Sequence, residues 1–220
     1  RLARIARHEE SHLDGISGSA RKIGAVNTVL IEDGKFYGHN TDASGFAHAL
    51  ASGLPGANLS KVLQLGAGGA GAAVAYALLD SGTTELHIVD LDAERVEHRV
   101  AELRSHFPQA QIFAATPDEV PGLLPGKDGL LNATPIGMHH HPGLPLDIAT
   151  LTAHHWVADC IYRPVDTELI TAARALGCQV LDGGHMAVGQ AVDAFEIITG
   201  IKPDAARMRA HLLAMLEEGR

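Results

Sequence analysis

The stretch "VLQLGAGGAG", Val62 to Gly71, runs an apolar strand-like segment into a glycine-rich turn that opens a helix of small residues. Gly66, Gly68 and Gly71 stand in G-x-G-x-x-G spacing, and a strand before with a helix after is the context that separates this motif from a flexible turn. Each glycine has a physical task. Gly66 permits the tight turn, Gly68 lets a pyrophosphate approach the backbone, and Gly71 lets helix and strand pack closely. The helix start supplies free N–H groups and a partial positive charge to the phosphates, so Ala67, Gly69 and Ala70 join the three glycines as cofactor-binding positions. Asp90 ends the next strand, 24 residues after Gly66. A carboxylate there accepts hydrogen bonds from the adenosine ribose hydroxyls and repels a 2′-phosphate, which favours NAD over NADP. Arg95, a turn further on beside Asp92 and Glu94, is able to pair with such a phosphate and otherwise reads as a solvated helix residue.

Outward from this loop the chain alternates. "ELHIVD", "QIFAAT", "DGLLNAT", "HWVADCI" and "CQVLDG" read as further strands, separated by helical patterns at "DAERVEHRVAELRSHF" and "DTELITAARALG". Val96, Val100 and Leu103 form one apolar stripe on the first of these helices. Alternation of this kind predicts an α/β fold with a doubly wound, Rossmann-type parallel sheet. "MAVGQAVDAFEIITG" and "AARMRAHLLAMLEE" close the chain as helices. Before the loop, "AVNTVLI" and "KFYGH" read as a hairpin turned at "EDG", and a helix follows to about Ser52. "GLPGAN" is the clearest linker signal. Residues 1–14 carry a thin apolar stripe consistent with a helix. The division expected is a partial substrate domain over 1–41, a dinucleotide-binding domain over 42–184, and terminal helices over 185–220 that return to the substrate domain.

With 46% hydrophobic and 20% charged residues among 220, the chain is globular rather than disordered. A net charge of −9 argues against nucleic acid or an anionic membrane as partner. No apolar run is long enough to span a bilayer. Cys160 and Cys178 have no C-x-x-C spacing, which suits a reducing compartment, and the first residues lack a secretory core, so a cytoplasmic location is expected. His139, His140 and His141 are adjacent and do not converge easily on one ion. They read as a solvated loop, and no metal is expected. Trp156 reads as core.

"GHNTDASGF", Gly38 to Phe46, places Asp42 where two readings meet: N-cap of the following helix, or a group that handles a proton. Both can hold at once. With "GAVNTV", "GHNTDASGF", "GAGGAG", "NATPIGM", "DCIYRPVDTELI" and "DGGHMAVGQAVDAF" in this order, the chain resembles the shikimate dehydrogenase family, and "VDLDAER" resembles its NAD-preferring quinate/shikimate branch. The resemblance implies reversible hydride transfer between a ring hydroxyl of a cyclohexane or cyclohexene carboxylate and a nicotinamide. It implies that Asp42, as the catalytic residue, Asn27, Tyr162 and Gln190 face the substrate. It further implies that Gly183 and Met186 border the nicotinamide, with Thr134 and Met138 along the cofactor. The partner expected is a small molecule (shikimate, quinate or a close analogue), with homodimerisation open.

One departure stands out. The family's catalytic lysine lies in a "T-x-P-x-K"-like stretch upstream of "GAxNT". Residues 1–220 contain no such stretch, and their first lysine is Lys22. Spacing would place it near Ile5, Ala6 and Arg7, and a guanidinium does not act as a base at workable pH. An enzyme seen without its front end and a noncatalytic NAD-binding module both follow from this.

Overall fold

The computed structural model describes residues 12–218, so the helix expected over 1–14 falls almost wholly outside the described residues. A small sheet comes first: β1 (Gly15–Ile16), then α1 (Gly18–Ile23), then β2 (Thr28–Glu32) and β3 (Lys35–His39). Its order is β1-β3-β2, with β2 and β3 antiparallel and β1 parallel to β3. The hairpin turns on Asp33 (φ 49°) and Gly34 (φ 76°). Two consecutive positive φ values twist the way paired strands twist, which is why Asp-Gly serves this turn. Glu32, expected in the turn, stays in the ladder opposite Lys35. β1 and α1 escape sequence reading because two and six residues carry too little periodicity.

The chain continues through α2 (Thr41–Gly53), β4 (Lys61–Leu65), α3 (Gly69–Asp80), β5 (Glu85–Val89), α4 (Ala93–His106), β6 (Gln111–Ala115), α5 (Val120–Leu123), β7 (Gly129–Asn132), β8 (Trp156–Asp159), α6 (Glu168–Ala175), β9 (Gln179–Leu181), α7 (Gly183–Thr199) and α8 (Ala205–Glu217). The six strands from β4 onward form one parallel sheet in the order β6-β5-β4-β7-β8-β9. This is the doubly wound sheet expected. β7 and β8 are buried at every position, as strands covered on both faces must be. α3 is buried from Gly71 through Leu79 because it packs between the sheet and α2, which explains its all-round small apolar sequence. α4 buries the expected stripe of Val96, Val100 and Leu103. Trp156 is core, its Nε1 donating to Asn58 O at 2.8 Å. Among the described residues no helix is long and apolar enough to cross a membrane.

α7 starts three residues ahead of Met186, where the helix was expected, because Asp182 caps it by accepting from Gly184 N–H at 3.0 Å. The same carboxylate takes Arg209 of α8 at 3.0 Å and lies 3.4 Å from His185. Burial alone would raise Asp182, but His185 and Arg209 more than reverse that and hold it at about 2. A depressed carboxylate stabilises the fold above its ordinary value of 3.8, and that contribution fades as pH falls toward about 2. Arg209→Ala should therefore cost about 1–2 kcal/mol at pH 7, a fall of several degrees in the unfolding midpoint. The difference should shrink in melts run at pH 3.

Candidate active site

At the carboxyl ends of β4, β5 and β7 a cleft of ≈570 Å³ opens. This is the switch point of the sheet, where the chain turns from one side of β4 to the other, and where open parallel sheets bind ligands. Gly66, Gly68, Asp90, Arg95 and Thr134 line it. Met138, Gly183 and Met186 are not among its lining residues; Met138 is exposed, and Gly183 and Met186 are buried at the start of α7. Beside the cleft, and sharing Gly68 and Arg95 with it, a recess of ≈310 Å³ is bounded by Ala67, Gly69, His98 and Arg99.

The three glycines occupy three different environments. Gly66 has φ +98°, and a Cβ there would come 2.6 Å from Ala133 O. A Cβ on Gly71 would overlap Gly66 O. Gly68, the N-terminal boundary residue of α3, faces open space with nothing within 4 Å. A close backbone approach is thus available at Gly68 alone of the three, which is the fit a pyrophosphate requires. From beneath, the buried Gln64 donates Nε2 to Gly66 O at 2.8 Å and Gly71 O at 2.9 Å. Sequence reading missed Gln64 because it sits inside an apolar strand run. Its being polar there was the available signal.

Asp90 does two jobs. Its Oδ2 accepts from Ala67 N–H at 2.8 Å and its Oδ1 from Asp92 N–H at 3.2 Å, fixing the glycine loop to the end of β5. Arg95 is half-exposed, as a solvated residue would be, yet its guanidinium pairs with Asp92 at 2.9 Å and stands 3.5 Å from Asp90.

The second group of residues gathers around the start of α2. Asn40, not Asp42, is the N-cap: its Oδ1 accepts from Asp42 N–H at 3.1 Å and Ala43 N–H at 3.2 Å. The capping reading of Asp42 is thereby corrected. Asn40 leaves the strand in extended backbone, the geometry a cap needs, so Asp42 falls into the first helical turn. Asn27 Oδ1 accepts from Thr41 N–H at 2.9 Å, which ties Asn27 to the residue next to Asp42, while Asn27 Nδ2 is buried with no hydrogen-bond partner among the described residues. One turn along α2, a Cβ on Gly45 would overlap Gln190 N, and one on Gly189 would come 2.6 Å from Gly45 O. α2 and α7 therefore meet backbone to backbone, and Gln190 is half-buried at that seam rather than a free surface amide. Gly183 packs against Cys160 and Ile161, where a Cβ would overlap Ile161 O, and Tyr162 follows on that loop. Tyr162 is 45% exposed. The Cys160 thiol is pushed up by burial and by the Asp159 and Asp42 carboxylates. His139, His140 and His141 are exposed.

Known proteins resemble this chain in sequence and in fold. A family model described as the Shikimate 5'-dehydrogenase C-terminal domain matches residues 185–213. Shikimate dehydrogenase (NADP(+)) of Arthrobacter sp. (strain FB24) is 61% identical over 205 residues, covering 93% of this chain and 70% of that protein. The chain belongs to the shikimate dehydrogenase family. Another family member, quinate/shikimate dehydrogenase (NAD(+)) of Corynebacterium efficiens, is 47% identical, with 92% of this chain and 72% of that protein covered. Quinate dehydrogenase from Corynebacterium glutamicum in complex with NAD superposes with a TM-score of 0.91 at 44% identity, covering 94% of this chain and 74% of that one.

Proposed function

We propose that this chain, an oxidoreductase by family, is of the shikimate/quinate dehydrogenase type and exchanges hydride between a ring hydroxyl of a cyclohexane or cyclohexene carboxylate and NAD. The observation that carries the reading is the open face of Gly68 in the cleft that Asp90 also lines. Gly68 through Gly71 would hold the pyrophosphate with backbone N–H groups, the Ala67 N–H being taken by Asp90; Asp90 would hold the adenosine ribose and Thr134 the flank of the cofactor. Gly183 and Met186 would border the nicotinamide, with Met138 on the loop beyond Thr134. When bound, the nicotinamide supplies the hydride acceptor.

On the substrate side, Asn27 Nδ2 is a donor waiting for an acceptor, and a ring hydroxyl would satisfy it. Gln190 and Tyr162 would orient the ring, and Asp42 would accept the hydroxyl proton or align it toward a base. The domain division proposed is 1–41, 42–184 and 185–220, with the α2–α7 seam as the joint between the cofactor and substrate sides. A soluble cytoplasmic enzyme, homodimeric or monomeric, fits this reading.

The names of relatives point both ways on the cofactor, NADP(+) for the Arthrobacter protein and NAD(+) for the Corynebacterium efficiens one. Asp90 supports NAD, because its carboxylate would repel a 2′-phosphate and its hold on Arg95 and Ala67 keeps it in place. Calorimetric titration should show NAD binding more tightly than NADP, and Asp90→Ala should narrow the gap, mainly by weakening NAD. Equal affinities in the unmodified chain would count against the assignment.

A further inference from the structure

Asp159, at the end of β8, is 2% exposed and belongs to neither set of residues above. Its Oδ1 accepts from Ile161 N–H at 2.9 Å and from Asn132 Nδ2 at 3.1 Å, and its Oδ2 accepts from Thr167 Oγ1 at 2.8 Å. Each donor leads to a different segment. Asn132, the register partner of Asp159 on β7, also donates to Ile136 O at 3.1 Å and accepts from the N–H and hydroxyl of Thr134 at 3.0 and 2.7 Å. Ile161 opens the loop that carries Tyr162. Thr167 closes that loop and caps α6, accepting from Ile170 N–H at 3.2 Å. One buried carboxylate thus anchors both Thr134–Ile136, a wall of the cleft, and the segment 161–167.

We propose that Asp159 is a positioning residue whose ionised carboxylate holds the cofactor-side loop and the Tyr162 loop in fixed relation, so that nucleotide and ring binding are coupled through it. This rests on the nucleotide reading of the cleft. The chemistry requires the charge. Three donors converge on the two oxygens, and a proton on Oδ2 would have to be donated to Thr167 Oγ1, which already accepts from Ile170. The neutral form therefore displaces the Thr167 hydroxyl hydrogen and weakens that arm, whereas the ionised form makes three charge-assisted bonds.

Burial pushes Asp159 up to about 6 against the pull of Ile161, Thr167 and Asn132. Between 3.8 and about 6 the folded state holds this proton more tightly than the unfolded chain, so stability falls as pH rises through that window and stays lower above it. At neutral pH the group is ionised at a net cost to folding. The neighbours leave this balance to burial and hydrogen bonds. Cys160 carries a thiol whose pKa is raised, Glu168 of α6 is exposed, Asp182 beyond β9 is paired with Arg209 and His185, and β7 brings no charged side chain.

The test is calorimetric titration of the 220-residue chain and Asp159→Asn with NAD from pH 5 to pH 8, with unfolding midpoints at each pH. Native affinity should fall below about pH 6, by up to about tenfold per pH unit. Asp159→Asn should bind several-fold more weakly at pH 8, show a flattened pH profile, and melt no lower than the native chain at that pH. If that variant does not fold, Thr167→Ser should keep the native profile and Thr167→Val should weaken and flatten it. A native affinity that ignores pH would overturn the proposal. So would parallel losses of affinity and melting temperature in Asp159→Asn at every pH, which mark a structural role. No NAD binding by the native chain at pH 8 would sink the nucleotide reading itself, and the proposal with it.

Discussion

Gly68→Val should leave the fold standing and lower nucleotide affinity by about 100-fold or more. Gly68 has φ −71°, a value any L-residue adopts, and its Cβ direction meets nothing within 4 Å, so the protein itself has no objection to a side chain there. The objection comes from the ligand. A branched side chain would occupy the space through which a pyrophosphate reaches the N–H groups of α3, and several charge-assisted hydrogen bonds, each about 1.5–3 kcal/mol, would be lost together. Gly71→Val supplies the contrast. Its Cβ would overlap Gly66 O and stand 3.2 Å from Gln64 Nε2, driving α3 off β4 at a cost of about 1–3 kcal/mol or more. Thermal melts and NAD titration of both variants separate the two effects. A Gly68→Val protein that binds NAD normally would show that the cofactor lies elsewhere.

Residues 1–220 should bind NAD yet oxidise quinate or shikimate very slowly. Asp42 stands in the first turn of α2, next to Thr41, whose N–H is held by Asn27, and is proposed to orient a hydroxyl. By the family resemblance a lysine would act as the base beside it, and loss of a general base typically slows turnover ~10²–10⁴-fold. A version of the chain extended with the family's lysine stretch should be active. In that version Asp42→Asn should lower kcat by a similar factor and leave NAD affinity within about twofold. NADH formation with each acid, measured for all three proteins, decides the matter. Brisk turnover by the 220-residue chain would mean that another group takes the proton, with His39 and Asp42 itself the first to replace.

What could be read in advance was whatever depends on near neighbours in the chain. The G-x-G-x-x-G spacing, the Asp33-Gly34 turn, the Val96, Val100 and Leu103 stripe and the strand–helix alternation are short-range patterns. Backbone sterics and amphipathic periodicity act over a few residues, so these patterns survive in one dimension. The cap of α2 failed even at this range, because Asn40 and Asp42 are both good capping residues and only the extended backbone at Asn40 chooses between them.

The substrate side was legible only through resemblance. Asn27 and Gln190 are ordinary amides until folding sets Asn27 against Thr41 and brings Gly45 onto Gly189, residues far apart in the chain. Asp159 read as the end of a strand. The sequence alone determined a doubly wound sheet with a glycine-rich loop after one of its strands, since local geometry and strand alternation suffice for that. Tertiary structure alone decided that a buried carboxylate ties Asn132, Ile161 and Thr167 together, because desolvation and the convergence of three donors exist only once β7, β8 and α6 have packed.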